Sequence, residues 1–322
     1  MINRIESFAV SAVLIALSVA EAAAQAYPSR PIRLVVPFAA GGGVDAVGRT
    51  VAQKLSEGLG QPIVIDNRGG AGGNVGTEAV ARSAPDGHTL LITTHGHTIQ
   101  PHLQKLSWDP LASFAPISMV GTFYFIFIVN PAVPATTPRE LIAYAKANPG
   151  KLAYGSSGLG GPMHLGMEML KNLAGIDIMH VPYKGNGPMT AALLANEVQV
   201  TMDSMAVSLP HVRAGKLRGL ATSGPRRAVQ APDLPTMTEA GVQGFEYVGW
   251  HGILAAAATP REIVARLNAE LVKALGAAEV RERLLALGYD AAPTAPGEFA
   301  AVIAADIAKY GKVVREGGIK ID

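Results

Sequence analysis

The order of strands, helices and glycine turns constrains this chain most, because the same order occurs twice. The apolar run 32–38 is typical of a strand, it ends near three consecutive glycines, 41–43, and an amphipathic helix follows. Later, residues 152–154 lead into the glycine-rich segment 155–161, and a second helix is predicted over 162–174. Strands that alternate with helices predict a parallel sheet covered on both faces, so we assign the chain to the α/β class.

A single spacing relates the turns of the two copies. Gly60, Gly70 and Gly72 lie 115 positions before Gly175, Gly185 and Gly187. Glycine marks turns and helix ends, so the agreement extends to turn chemistry as well as to the apolar pattern. We interpret it as a duplicated α/β half and expect two lobes of similar construction.

Two extended segments outside the repeat are predicted to connect these lobes. Residues 114–130 and 245–257 are rich in aromatic and β-branched side chains, and they bracket the second copy. If both cross between the lobes, they enclose a cleft that closes by small φ/ψ changes. The predicted boundaries are 27–121 plus 249–322 for lobe 1 and 122–248 for lobe 2. Helices near 260–275, 279–287 and 296–316 are assigned to lobe 1, and the last of them is also placed to pack across to lobe 2.

The N-terminus has the pattern of a secretory signal peptide. Arg4 supplies a basic start, residues 8–20 form a 13-residue apolar run, and Ala24-Gln25-Ala26 offers a small-x-small cleavage site. The apolar run is shorter than the roughly 20 residues of a transmembrane helix. We predict that residues 1–26 are removed by cleavage after Ala26 and that the mature chain works in the periplasm.

Composition excludes several kinds of site. The 322 residues include no cysteine, so disulfides, thiolate metal sites and lipid attachment through cysteine are impossible. A formal net charge of +2 without clustered lysine and arginine argues against nucleic-acid binding. We expect a monomer that carries no cofactor and no metal.

Eight segments of the mature chain carry motifs that occur together in one order. They are 27–38, 41–45, 66–74, 84–87, 154–158, 180–185, 214–218 and 234–236. These motifs resemble those of the Bug receptors, the extracytoplasmic solute-binding subunits of tripartite tricarboxylate transporters, and the resemblance covers the whole mature chain. It implies a type II periplasmic-binding-protein fold, capture of a small carboxylate between the lobes, and delivery to the membrane subunits of such a transporter. It implies a receptor, not an enzyme.

The carboxylate is expected at the glycine-rich turns that precede helices. A helix N-terminus offers unpaired N–H groups and a partial positive charge, and glycine lets a ligand oxygen approach closely. We expect Ser156 to Met163 to bind one carboxylate, with Asp203 approaching in the same lobe, while the turns of lobe 1 close on the other end. The candidate contacts are Gly42, Gly43, Val44, Thr94, His95, His97, Ser156, Ser157, Gly160, Gly161, Met163, His164 and Asp203.

Structural explanations stay open for three parts of this set. The glycines at 41–43 fit a tight turn, Ser156 and Ser157 fit helix capping, and Asp203 fits an acceptor for neighbouring backbone groups. Few arginines and lysines are predicted in the cleft. This scarcity favours a mono- or dicarboxylate, aliphatic or aromatic, over a more highly charged tricarboxylate.

A dinucleotide-binding oxidoreductase is one alternative. Residues 41–46 fit G-x-G-x-x-A after a strand, and Asp66 follows at the distance of a ribose-binding acid. Against it stand the signal sequence, the carboxylate of Asp45 beside the pyrophosphate position, and a second copy that lacks the fingerprint.

A secreted hydrolase using Ser156 or Ser157 is the other enzymatic alternative. The segment 155–159 lacks the final glycine of a nucleophile elbow, and His164 has no evident acid partner. A metal site at His95, His97 and His102 lacks a credible spacing for its third ligand. We therefore favour the receptor.

Overall fold

The computed structural model describes residues 27–319, and the predicted signal peptide lies outside them. Within this range, ten strands form one mixed sheet with the main order β2-β1-β3-β9-β4-β7-β5-β6, and β8 and β10 pair with β4. The strands are β1 (Ile32–Val36), β2 (Ile63–Asn67), β3 (Thr89–Thr94), β4 (Phe114–Val129), β5 (Ala153–Ser156), β6 (Met179–Pro182), β7 (Val200–Ser204), β8 (Arg218–Thr222), β9 (Val248–Ala256) and β10 (Asp290–Ala291).

Helices connect most of these strands. None of the helices in residues 27–319 combines the length and the apolarity that crossing a membrane requires. The α-helices are α1 (Gly43–Leu59), α2 (Asn74–Ala81), α3 (Gly96–Ile99), α4 (Pro138–Ala147), α5 (Pro162–Ala174), α6 (Asn186–Leu194), α7 (Met205–Arg213), α8 (Arg261–Gly276), α9 (Ala278–Ala286) and α10 (Pro296–Glu316).

Strand β4 is shared by two halves of the sheet. It pairs with β9 from Phe114 to Tyr124 and with β7 from Phe125 to Val129. We call the half around β1, β2, β3 and β9 lobe 1 and the half around β5 to β8 lobe 2. The chain returns to lobe 1 just before β9, where the N–H of Tyr247 still donates to Ser223 O of lobe 2. The two extended segments therefore connect the two halves, as the sequence predicts.

The repeated glycines occupy equivalent places in the two lobes. Gly60 ends α1 and Gly175 ends α5, each in the left-handed region, with φ of 67° and 60°. Each helix is followed by an edge strand, β2 or β6, and Gly70 and Gly185 come before the next helix. A left-handed helix end favours glycine because it has no Cβ. The spacing found in the sequence thus marks the same helix–strand–turn unit twice.

Helix α10 packs against both lobes. Phe299 and Ile303 in its first half lie in the lobe 1 core with Trp250. Tyr310 and Val313 in its second half lie in the core cluster of lobe 2. The helix assigned to lobe 1 from the sequence is therefore a bridge, because one apolar stripe serves two cores.

Candidate ligand-binding site

The carboxyl ends of the parallel strands deliver uncapped helix N-termini to one edge of each lobe. In lobe 1, β1 runs parallel to β3, and in lobe 2, β5 runs parallel to β6 and β7. The N-cap residues Gly42, Gly161, Gly185 and Ser204 begin α1, α5, α6 and α7, and none of them caps its helix with a side chain. First-turn N–H groups of these helices have no partner within the helix, so they suit an anion.

In the loop before α5, internal bonds determine which amides stay available. The N–H of Gly160 donates to His164 Nδ1 at 2.9 Å, and the N–H of Gly161 donates to Gly158 O at 3.3 Å. Pro162 has no N–H. The N–H groups of Met163 and His164, in the first turn of α5, have no acceptor within the helix, so fewer amides are free at this helix start than the sequence predicts.

Ser156 holds the same loop through hydrogen bonds of its buried side chain. Its side chain is fully buried, and Oγ lies 2.7 Å from His180 Nε2 and 3.0 Å from Gly158 O. Ser157 is partly exposed, and its carbonyl accepts the N–H of Gly185 at 3.1 Å. Through these two contacts the Ser156 hydroxyl joins β5, β6 and the loop, so the Ser156–His180 pair holds the loop in place.

His180 supports the loop before α5 and is absent from the set of site residues predicted from the sequence. Its ring stacks on His164 at 3.9 Å and on Tyr154 at 4.6 Å, and Tyr154 donates to the buried Glu168. Burial lowers the pKa of His164 and of His180 to about 4, so both rings are neutral near pH 7. In the sequence, His180 is marked only by its place in segment 180–185, which carries the family resemblance but indicates no role for this histidine.

Asp203 joins the N-termini of α6 and α7. Its carboxylate accepts from Asn186 Nδ2 at 2.9 Å, from the N–H of Ser204 at 2.7 Å and from the hydroxyl of Ser208. The side chain is fully buried, and burial raises the pKa of Asp203 to about 6 despite these bonds. The contacts fit the interpretation that Asp203 accepts bonds from its neighbours.

In lobe 1, Asp45 shapes the turn before α1. It accepts from the N–H of Gly41 at 2.9 Å, from Arg49 Nε at 3.0 Å and from Asn67 Nδ2 at 3.0 Å. The bond from Arg49 is the main reason that the pKa of Asp45 falls to about 2. Gly42 and Gly43 remain exposed, and Val44 packs partly against the lobe 1 core. Asp45 therefore fixes the turn through three hydrogen bonds, while its two glycines stay accessible to solvent.

Only some of the polar atoms in residues 94–97 have partners among the described residues, and one ring nitrogen of each histidine has none. Thr94 Oγ1 lies 3.1 Å from His95 Nδ1 and accepts from the N–H of Gly96 at 3.3 Å. His95 is 1% exposed and lies among aromatic rings, including Phe123 at 5.7 Å. Its Nε2 has no partner in the described part of the chain.

His97 and His102 lie apart from His95. The ring of His97 stacks on Trp108 at 4.8 Å, and its Nε2 donates to Pro110 O at 2.9 Å. His102 Nε2 bonds Ile307 O at 2.8 Å. Residues 27–319 contain no group of three or more His, Asp or Glu side chains arranged to hold a metal ion.

Residues 47–319 match the family model described as the tripartite tricarboxylate transporter family receptor. The chain belongs to this family. BugT of Bordetella pertussis is 36% identical over 305 residues, which are 94% of this chain and 94% of BugT.

Two solved structures of similar receptors come from Rhodopseudomonas palustris. Rpa4515, solved with adipate, is 36% identical with a TM-score of 0.80, over 92% of this chain and all of that chain. MatC, solved with bound malate, is 33% identical with a TM-score of 0.76, over 89% of this chain and all of that chain.

Membership of this receptor family confirms the fold predicted from the sequence, the two-lobed α/β architecture of periplasmic binding proteins. It also identifies the protein as a solute-binding receptor and not an enzyme. The dinucleotide-binding and hydrolase alternatives are therefore set aside.

Proposed function

We propose that the receptor captures a small carboxylate between its lobes and that the first turn of α5 binds the charged group. The observation that carries this proposal is the loop 156–161, in which internal bonds occupy the amides of Gly160 and Gly161 and leave those of Met163 and His164 facing the helix entrance. α5 has no acidic residue in its first turn. The helix dipole and bare amides favour an anion there.

Gly42, Gly43 and Val44 are proposed to meet the other end of the ligand from lobe 1, and the partly exposed Ser157 to contact the carboxylate. Ser156, Gly160, Gly161 and Asp203 are proposed to hold the loops in position. Thr94, His95 and His97 stay predictions from the sequence; both histidines are buried, and one ring nitrogen of each has no partner among the described residues. The adipate and malate of the two similar structures support a carboxylate as the ligand class.

The biological setting is part of the same proposal. Removal of residues 1–26 would place the receptor in the periplasm, where, as a monomer, it hands its ligand to the membrane subunits of a tripartite tricarboxylate transporter. The signal-peptide pattern and the family support this setting. In cells that contain such a transporter, loss of the receptor should abolish uptake of the ligand, and uptake at the normal rate would contradict delivery.

A thermal-shift screen of the chain from Tyr27 onward tests capture. The acids are malate, succinate, adipate, hexanoate, benzoate and terephthalate. A ligand at 100 times its Kd adds about 2.7 kcal/mol to the free energy of unfolding and raises Tm. No shift with any acid would contradict the proposal.

A charge placed at Ser157 tests the location. Ser157→Asp puts a carboxylate beside the proposed carboxylate site and should weaken the strongest hit at least about tenfold, which is 1.4 kcal/mol. Ser157→Asn is nearly the same size without the charge and should bind within about threefold of the wild type. Equal binding by the Asp and Asn variants would move the site away from α5.

A further inference from the structure

The segment after α9 carries a tyrosine to the hinge. Gly288 has φ +88°, its N–H donates to Leu285 O at 2.9 Å, and the N–H of Tyr289 donates to Leu284 O at 2.8 Å. These bonds close the helix and reverse the chain. β10 then pairs with β4 at Thr122 and Gly121. The backbone of Tyr289 is therefore fixed on both sides.

Two rings fix the side chain of Tyr289. It packs edge-on against Phe123 at 5.2 Å and against His251 at 4.9 Å. Phe123 and His251 themselves stack at 5.3 Å on neighbouring hinge strands. Since a tyrosine ring has only two side-chain dihedral angles, this packing also determines where its hydroxyl lies.

The hydroxyl of Tyr289 lies directly above the start of α1. A Cβ atom built on Gly43 would lie 2.7 Å from Tyr289 Oη. Within residues 27–319 this hydroxyl makes no hydrogen bond. Burial raises the pKa of Tyr289, so the phenol keeps its proton at neutral pH and can donate it. Largely buried phenols usually have a hydrogen-bond partner.

A second polar group in the same cluster also lacks a partner. His251 is 3% exposed, and its Nδ1 has no hydrogen-bond partner among the described residues. Buried polar atoms are nearly always bonded to protein, water or ligand. The buried Nδ1 of His251 and the hydroxyl of the partly exposed Tyr289 both lack a partner among the described residues, and their rings lie 4.9 Å apart, which indicates a place that accepts a polar guest.

Both lobes meet at this tyrosine. Tyr289 and Asp290 line an interlobe cavity of about 500 Å³ together with Arg226 of lobe 2, although no residue of the α5 loop lines it. Asp290 pairs with Arg226 at 2.8 Å, and a Cβ atom on Gly288 would lie 4.0 Å from Ala206 Cβ of α7. Tyr289 therefore lies at the boundary between the lobes, within reach of a ligand that would extend to Gly43.

We propose that Tyr289 donates its hydroxyl hydrogen to an oxygen at the lobe 1 end of the ligand, beside Gly43, and so determines specificity for that end. The inference rests on the proposed function, in which the first carboxylate binds at α5. The hydrogen bond from Tyr289 then raises the affinity for a ligand that carries an oxygen at the end far from α5. None of the motifs that identify the family contains this residue.

Calorimetric titration of Tyr289→Phe tests the inference with two pairs of acids, adipate with hexanoate and succinate with butyrate. Each pair differs only in the second carboxylate. The wild type should prefer the dicarboxylate of at least one pair. Tyr289→Phe should weaken that dicarboxylate by about tenfold and leave the monocarboxylate unchanged, since a hydrogen bond to a charged group is lost. Tyr310→Phe removes the hydroxyl of a tyrosine that lies buried in the core cluster of lobe 2 and should bind like the wild type.

The outcomes separate this inference from the proposed function. An unchanged preference in Tyr289→Phe, or an equal loss on both acids of a pair, overturns the role of Tyr289 and leaves capture at α5 intact. The role of Tyr289 is also overturned if the wild type binds the dicarboxylate no more tightly than the monocarboxylate in both pairs, or if it binds no acid of either pair. In that case the screen of six acids decides separately whether the receptor binds a carboxylate at all.

Discussion

The imidazole rings of His164 and His180 lie parallel, with centroids 3.9 Å apart and planes 13° apart. One ring belongs to α5 and the other to β6, and each supports the same loop, through Gly160 N–H and through Ser156 Oγ. Burial keeps both rings neutral near pH 7. Close stacking is tolerable because neither carries a charge, and the loop before α5 gains two fixed attachment points.

Replacing His164 tests this support. His164→Phe keeps a ring to stack on His180 but removes the acceptor of the Gly160 N–H, and an unsatisfied buried donor costs about 1–3 kcal/mol. His164→Asn offers Oδ1 in place of Nδ1 as the acceptor and should lose less unfolding free energy than His164→Phe. Urea denaturation measures the free energy of unfolding, and titration with the strongest acid from the screen measures affinity, which should fall further for Phe than for Asn. If the Phe variant is as stable as the wild type and binds the acid as tightly, His164 does not support the loop before α5.

Buried His97 predicts loss of stability in mild acid. Its pKa in the folded chain is about 4, mainly because of burial, against an unfolded value of about 6.5. As pH falls below about 6.5 the unfolded chain takes up the proton first, so stability declines until the folded pKa is reached. His97→Phe should therefore reduce the loss of unfolding free energy between pH 7 and pH 5 by about 2 kcal/mol. The wild type and the variant are compared by the slope of unfolding free energy against pH and not by its absolute value, because the variant also loses the bond to Pro110. Parallel pH profiles would contradict it.

Local patterns in the sequence predicted most of the fold. The apolar stripes, the glycines at 60 and 175, and the duplicated order predict the helix ends and the order of elements along the chain, because these depend on residues close in sequence. The bridging role of α10 was only left open, because the same stripe fits one core or two. Whether α10 packs on one core or on two depends on the positions that Phe299 and Tyr310 occupy once both lobes have formed.

The candidate site was less predictable from the sequence. Glycine turns indicate where amides are exposed, but they do not tell which amides the protein itself uses. The bond from Gly160 to His164 is local but depends on the orientation of the imidazole ring, and the contact of Ser156 with His180, 24 positions away, depends on tertiary packing. Tyr289 carried no signal at all, since nothing in its neighbourhood indicates that it lies above Gly43.

Gly252 in β9 should not tolerate a methyl group. A Cβ atom there would lie 2.1 Å from Phe299 Cζ, well inside contact distance, and the ring is fully buried. Overpacking of this kind costs about 1–3 kcal/mol. Gly252→Ala should lower the free energy of unfolding by that amount in urea. Gly276→Ala, at the end of α8 with no atom within 4 Å, is the control and should be neutral or stabilising. A neutral Gly252→Ala would show that α10 shifts freely over the sheet.

The bond from Trp250 to Asp306 should contribute to holding α10 on lobe 1. Trp250 is 2% exposed, and its Nε1 donates to Asp306 Oδ2 at 2.7 Å. Burial raises the pKa of Asp306, so the carboxyl group gains little from its charge and its main role is as an acceptor. Asp306→Asn keeps an acceptor oxygen and should cost less than about 1 kcal/mol of unfolding free energy, whereas Asp306→Leu leaves the indole N–H unsatisfied and should cost about 1–3 kcal/mol. Urea denaturation followed by tryptophan fluorescence compares the two. Because the bond is an acceptor contact and not an ion pair, the difference between Asn and Leu should persist at high salt, and its disappearance in salt would mean that charge is what attaches the helix.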